Sequence, residues 1–99
     1  MMRLISIRPK EPNGKPLKAF CDVEFDNGIV IKEFRVVQEE GKRPWVALPQ
    51  LSYKDPATGQ IKHRVIVYCP SELKGQIDLL ILNEWSRVKE KLNGNIGIK

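Results

Sequence analysis

The segment Leu17–Asp26 carries the clearest strand signal of the chain, because its side chains alternate between two classes. A period of two indicates a half-buried antiparallel strand, with one face on a core and the other in water. The first face carries Leu17, Ala19, Cys21, Val23 and Phe25, and the second carries Lys18, Phe20, Asp22, Glu24 and Asp26. The second face is polar except for Phe20, whose ring is predicted to point outward.

A hairpin is predicted directly after this strand. Asp26-Asn27-Gly28 is a strong turn signal, and Ile29–Val37 is expected to return as the antiparallel partner. The alternation breaks in this partner, because Ile31 would share a face with Glu33 and Arg35. Either a bulge near Lys32-Glu33 shifts the register, or both faces of the strand are partly covered.

Three further strands are predicted, over Met2–Arg8, Trp45–Leu48 and Ile61–Cys69. A loop with a tight turn at Asn13-Gly14 follows the first of them. The other two are expected to form a hairpin with a long turn that contains Gly59. In its second arm Lys62 and Arg64 fall on one face, close to a tip that also carries Lys54.

A single helix is predicted after Pro70, with Ser71 as its N-cap and Asn93-Gly94 at its end. Its apolar stripe at helical spacing consists of Leu73, Ile77, Leu80, Ile81, Trp85, Val88 and Leu92. Leu79 and Leu82 lie off this stripe and would be exposed in a monomer, which favours a partner subunit.

These elements predict an α+β domain, with a mainly antiparallel, bent sheet of about five strands and the helix on one face. One domain is expected over residues 1–99, with residues 93–99 as a tail after the helix. No apolar run approaches the roughly 20 residues of a membrane span, and the N-terminus lacks the apolar region of a signal peptide. A cytoplasmic protein without membrane contact is therefore expected.

Chemistry-bearing residues are sparse. Cys21 and Cys69 lack the spacing of a zinc motif, so reduced, buried thiols are predicted. His63 is the one histidine, and a core or interface imidazole is favoured over a metal ligand. Glu84 lies within the helix stripe, either at its rim beside Arg87 or as a functional carboxylate. With no phosphate loop or nucleophile elbow, we expect no enzyme, cofactor, metal or small-molecule substrate.

The net charge of +5 is unevenly distributed along the chain. Residues 1–18 and 41–70 each hold five cations against one anion, whereas residues 19–40 hold two cations against six anions. Such a distribution indicates a molecule with a basic side, and a basic side attracts polyanions. From charge alone, a solvated surface with no partner is favoured over a polyanion-binding side.

The order and spacing of these elements resemble the stage V sporulation protein G (SpoVG) family of septation regulators. The resemblance covers about four-fifths of the chain and is carried by Leu17-Lys18-Ala19, Phe34-Arg35-Val36-Val37, Trp45-Val46-Ala47-Leu48-Pro49, Gly59, Pro70 and Ile81-Leu82-Asn83-Glu84-Trp85. It implies a small bacterial cytoplasmic protein that dimerises, binds DNA and in some members RNA, and acts in sporulation or cell division.

The resemblance also implies where nucleic acid binds. The family's basic cluster follows the hydrophobic-Pro element, where this chain reads Gln50-Leu51-Ser52-Tyr53-Lys54, longer and less basic than the usual Ser-Lys-Arg. Lys54 corresponds by loop position and Lys62 by strand position, whereas Arg64 is added from its periodicity. The candidate interface therefore consists of Lys54, Lys62 and Arg64 on phosphates, Tyr53 stacking beside the backbone, and Lys42 and Arg43 in the preceding loop.

Two hypotheses from different classes follow. The first is a homodimeric regulator that binds DNA, or RNA, through the basic hairpin tip. The alternative is a protein-interaction module without nucleic-acid binding of its own, in which Leu79, Leu82 and the outward Phe20 meet a protein partner.

Overall fold

The computed structural model describes the backbone of residues 2–10 and 14–97, which form six strands and one helix. The α+β class predicted from the sequence is confirmed. The elements are β1 (Arg3–Pro9), β2 (Leu17–Glu24), β3 (Val30–Val37), β4 (Trp45–Ala47), β5 (Gln50–Lys54), β6 (Ile61–Val65) and α1 (Ser71–Gly97).

The strands form two antiparallel sheets instead of one. Strands β1 to β4 lie side by side in chain order, and β5 pairs only with β6. The predicted pairing of Trp45–Leu48 with the later arm is therefore wrong, because β4 pairs with β3. Pro49 ends β4 as expected, but the chain enters β5 immediately, in a stretch that the sequence assigned to the turn.

The core lies between the four-stranded sheet and the helix. The alternation predicted for β2 is confirmed, since Ala19, Cys21 and Val23 are fully buried. They pack with the buried side chains of Phe34, Val36, Val46, Ile77, Ile81 and Trp85. The helix stripe is confirmed as well, with Leu73, Leu80 and Val88 half-buried at its margins. The side chain of Leu92 lies outside the described residues.

Of the two alternatives for the broken alternation in β3, the structure shows the bulge near Lys32-Glu33. Cys21 pairs with Phe34 and Val23 pairs with Ile31, so Asp22 faces two residues of β3. Glu33 has a φ of 72°, in the left-handed region that side chains other than glycine seldom occupy. The extra residue restores the side-chain alternation, because Ile31 now packs against the core together with Phe34.

The helix begins at Ser71, as predicted, but continues through Asn93-Gly94 to Gly97. The predicted end at Asn93-Gly94 is wrong, because glycine accepts helical dihedrals as readily as left-handed ones. Residues 98–99 of the predicted tail and Asn13 of the predicted turn lie outside the described residues. Within the described ranges, no helix combines the length and apolar character needed to cross a bilayer.

Candidate nucleic-acid interface

Strands β5 and β6 form a two-stranded ribbon, here called the β5–β6 ribbon, whose pairing decides which side chains share a face. Tyr53 lies opposite Lys62 and Leu51 lies opposite Arg64. Because directly paired residues project to the same side, Tyr53, Lys62 and Arg64 lie together. Lys54 pairs with Ile61 and projects from the other side. The structure therefore brings three of the predicted residues together and leaves Lys54 on the opposite face of the tip.

The tip of the ribbon is closed by a hydrogen-bonded turn centred on Asp55. Its N–H donates to the carbonyl of Gln60 at 2.9 Å, and Gly59 donates back to the Asp55 carbonyl at 2.7 Å. Gly59 has a φ of 75°, so the positive φ expected of this glycine is confirmed. The Asp55 carboxylate accepts the N–H of Ala57 at 2.8 Å. This turn fixes the register of both strands.

Lys62 is held at the tip by an ion pair, with its Nζ 2.8 Å from Oδ2 of Asp55. The hydrogen bond from Lys62, together with that from the Ala57 N–H, lowers the pKa of the Asp55 carboxyl. The Lys62 side chain is nevertheless about half exposed, so an incoming phosphate can compete with Asp55. Among the described residues Arg64 has no anionic partner, and Tyr53 beside Lys62 is exposed.

The predicted residues Lys42 and Arg43 lie elsewhere, in the loop between β3 and β4. The Nζ of Lys42 lies 3.2 Å from a carboxylate oxygen of Glu39, and its carbonyl accepts a hydrogen bond from Gln38 at 2.9 Å. Arg43 is exposed and has no anionic partner in the described part of the chain. Lys42 and Arg43 are therefore a second basic pair, which lies in the β3–β4 loop and not on the β5–β6 ribbon.

The β5–β6 ribbon also exposes apolar surface. Ile61 retains 63% of its accessible surface, Val65 53% and Ile66 55%. At its base the N–H of Ile66 donates to the carbonyl of Pro49 at 3.2 Å. A two-stranded hairpin is at best marginally stable in water on its own. Among the residues that the structure describes, none packs over these apolar side chains.

His63 lies on this ribbon, where the sequence favoured a core or interface position. Its ring is exposed, and Nδ1 shares a 2.9 Å hydrogen bond with Oγ of Ser52 on the paired strand. The core position is therefore wrong, because no described residue forms a layer over the face of β6 that carries His63. No group of three metal-ligating side chains occurs among the residues whose positions are described.

The residues predicted for a partner surface are not equivalent. Leu79 is 65% exposed on the helix, as expected. Leu82 is half-buried and packs against the core, so its predicted exposure is wrong. The apolar stripe of the helix is therefore broader than predicted, because it includes Leu82. Of the two cysteines predicted to be buried, Cys21 is buried and Cys69 is half-buried. Burial raises the pKa of the Cys21 thiol to about 12.

A second cationic and aromatic group lies on the four-stranded sheet, and the sequence reading missed it. Nζ of Lys10 lies 5.8 Å and Cζ of Arg35 lies 5.6 Å from the centre of the Phe20 ring, within cation–π range. The alternation in β2 already placed Phe20 outward. Only the bulge in β3 places Arg35 on the same side, and alternation alone had grouped Arg35 with the isoleucines.

Comparison with known proteins shows what this chain is similar to. The family model for SpoVG matches residues 2–87. A protein from Archaeoglobus fulgidus with the name "Putative septation protein SpoVG" is 36% identical over 61 residues, which are 62% of this chain and 69% of that protein. The family match covers β1 to β6 and most of α1.

Proposed function

Because the chain belongs to the SpoVG family, we propose that it is a small homodimeric regulator that binds DNA, or RNA, through the β5–β6 ribbon. The observation that carries the proposal is the single exposed ribbon face on which Tyr53, Lys62 and Arg64 lie together. A two-stranded antiparallel ribbon is one of the elements that the major groove of DNA admits.

On this proposal Lys62 and Arg64 contact phosphates, and Lys54 reaches the backbone from the other side of the tip. Such contacts provide affinity and position the protein without reading sequence. Tyr53 lies beside Lys62 and stacks or wedges against the sugar-phosphate backbone. Lys42 and Arg43 in the β3–β4 loop add further positive charge, and the net charge of +5 favours binding to a polyanion.

Dimerisation follows from the same ribbon. Its exposed Ile61, Val65 and Ile66 need an apolar cover, and a second copy of the chain supplies one of matching chemistry. A dimer also doubles a modest set of cations into two half-sites. Three cations from each subunit of a dimer give a slope of about −5 when the logarithm of the binding constant is plotted against the logarithm of the salt concentration.

The proposed process is septation, which is what the name of the Archaeoglobus relative states for that protein. Sporulation and other cell-division genes are further candidate targets of such a regulator. We also propose a cytoplasmic location and a role without catalysis, cofactor, metal or small-molecule substrate.

The test is a filter-binding titration with salt, comparing the wild type with the double variant Lys62→Glu/Arg64→Glu. A matched control is Lys89→Glu/Lys91→Glu on the helix, because both variants lower the net charge from +5 by four, to +1. We expect the ribbon variant to lose affinity and flatten the salt slope, while the helix control changes little. Equal affinity of the ribbon variant and the wild type would refute the proposal.

A protein-interaction module is the second candidate, because Leu79 is exposed on the helix away from the sheet. Leu79→Asp tests it, with Lys91→Asp as an exposed helix control and mass measured by light scattering. A change in assembly or loss of a protein partner, with DNA binding absent in the wild type, would favour this candidate. Unchanged mass with intact DNA binding would remove it.

A further inference from the structure

Among the described residues, the helix covers only one face of the four-stranded sheet. The helix packs against the side that carries Val36 and Val46, so residues that alternate with these project away from it. One row across the sheet pairs Arg8 with Phe20, Phe20 with Arg35 and Arg35 with Ala47. We call this side, with Trp45 at its edge, the outer face.

Two aromatic rings lie on the outer face. Phe20 is half-buried in the middle of the row, with Lys10 and Arg35 within cation–π distance of its ring. Trp45 is 54% exposed and stands two residues from Ala47 on β4, on the same side. Exposed tryptophan on a sheet face without a partner is an unusual use of a large apolar side chain.

The charges of the outer face are not balanced. Its carboxylates are paired: Asp22 accepts from Arg8 at 2.9 Å, Glu33 lies 3.4 Å from Arg8, and Glu24 pairs with Arg3. Lys10 and Arg35 have no anionic partner within residues 2–10 and 14–97. Nε of Arg35 is buried without a hydrogen-bond partner. An aromatic group flanked by two unneutralised cations is complementary to a chain of bases and phosphates.

We infer that the outer face binds single-stranded nucleic acid, with Phe20 and Trp45 stacking on unpaired bases and Lys10 and Arg35 contacting phosphates. This inference rests on the proposed nucleic-acid function and adds a second surface to it. The splayed bases of a single strand can stack on exposed aromatic rings and on guanidinium planes, whereas the bases of a duplex are already stacked on one another. Lys10 is exposed and lysine has a long, flexible side chain, so its Nζ can leave the Phe20 ring for a phosphate.

The experiment measures fluorescence anisotropy of labelled 20-nucleotide oligouridylate, oligothymidylate and a 20-base-pair duplex. Phe20→Leu and Trp45→Leu remove a ring but keep an apolar side chain of similar reach. Tyr68→Leu is the matched control, because it removes an 87% exposed ring that lies outside the four-stranded sheet. We expect each outer-face variant to weaken single-strand binding by at least about fivefold, the lower end of one lost base stack.

The same variants are expected to keep duplex affinity within about twofold, since duplex binding uses the β5–β6 ribbon. Conversely, Lys62→Glu/Arg64→Glu should weaken duplex binding more than single-strand binding. If Phe20→Leu does not fold, Trp45→Leu and Arg35→Gln decide the question, because both side chains retain access to water.

Several results would overturn the inference. Unchanged single-strand affinity in Trp45→Leu would refute binding at the outer face and leave the proposed function intact. The same holds if the wild type binds the duplex but neither of the single strands. A change of mass in Trp45→Leu by light scattering would make this face a subunit interface instead. A wild type that binds none of the three probes would remove the proposed function together with the inference.

Discussion

Replacing Asp22 should destabilise the fold more than its position near the sheet surface indicates. Its side chain is only 11% exposed and accepts three hydrogen bonds, from Nη1 of Arg8 at 2.9 Å, from Nη2 of Arg8 at 3.2 Å and from the Glu33 N–H at 3.1 Å. The last of these holds the bulge, where Glu33 has its positive φ. Asp22 therefore links β1 to the irregular point of β3.

The magnitude follows from what Asp22→Ala leaves behind. The Glu33 N–H loses its partner in a partly buried position, which costs about 1–2 kcal/mol. The Arg8 side chain is 44% exposed and regains water, so its lost ion pair adds only about 0.5–1 kcal/mol. We expect a total loss of about 1.5–3 kcal/mol in the free energy of unfolding. Asp22→Asn keeps an acceptor for the Glu33 N–H and should cost roughly half as much.

Urea denaturation followed by circular dichroism measures the effect, with an unchanged m-value as evidence that the unfolded state is the same. Ser6→Ala is the control, because Ser6 pairs with Asp22 across the strands without holding the bulge. If Asp22→Ala lowers the free energy of unfolding by less than about 0.5 kcal/mol, Asp22 does not stabilise the bulge as argued.

The pH dependence has a defined sign. Hydrogen bonds from Arg8, and less strongly from the Glu33 N–H, lower the pKa of Asp22 from its ordinary value of 3.8. A lowered pKa in the folded state stabilises the protein above the unfolded pKa, and this contribution is lost as the pH falls through the folded pKa. The stability gap between wild type and Asp22→Asn should therefore narrow below about pH 4. A gap that widens on acidification would contradict the ion pair.

Three further outcomes follow from burial and backbone conformation. Because burial raises the pKa of Cys21 to about 12, iodoacetamide at pH 8 should leave it unlabelled in the native protein and label it in urea, as mass spectrometry would show. Ile81→Ala should cost about 2–5 kcal/mol in thermal or urea unfolding, whereas the exposed control Leu79→Ala should stay within about 0.5 kcal/mol. Gly59→Ala should raise amide exchange in the β5–β6 ribbon by about tenfold, since φ of 75° costs an alanine roughly 1–2 kcal/mol; unchanged exchange would contradict the turn.

The sequence predicted those elements whose signals are local and agree with one another. The alternation of β2, the turn at Asp26–Gly28 and the bulge at Lys32-Glu33 all follow from side chains within a few residues. At the turn, the N–H of Gly28 donates to the carbonyl of Phe25 at 2.8 Å, with Gly28 at a φ of 86°. The start of the helix at Ser71 was equally readable.

Features that depend on distant partners were not readable. The alternating β-branched residues of β6 suggested a buried face, but Ile61 and Val65 are exposed, because nothing in the described part of the chain packs on them. Strand β5 has a polar composition after a proline and is identified only by its pairing with β6. Period two placed Lys62 and Arg64 on one face. The ion pair of Lys62 with Asp55 needs the turn geometry, which spacing does not specify.

The order of strands in the four-stranded sheet has a consequence for how the protein is made. Each strand from β2 to β4 pairs with the strand synthesised just before it, so the sheet can assemble through short loop closures as the chain emerges from the ribosome. Its inner face, which includes Phe34 and Val46, stays uncovered until the helix residues Ile77, Ile81 and Trp85 have been synthesised and pack against it. Until the helix docks, this face is open to other nascent chains, and the period between completion of the sheet and arrival of the helix is the point of greatest aggregation risk.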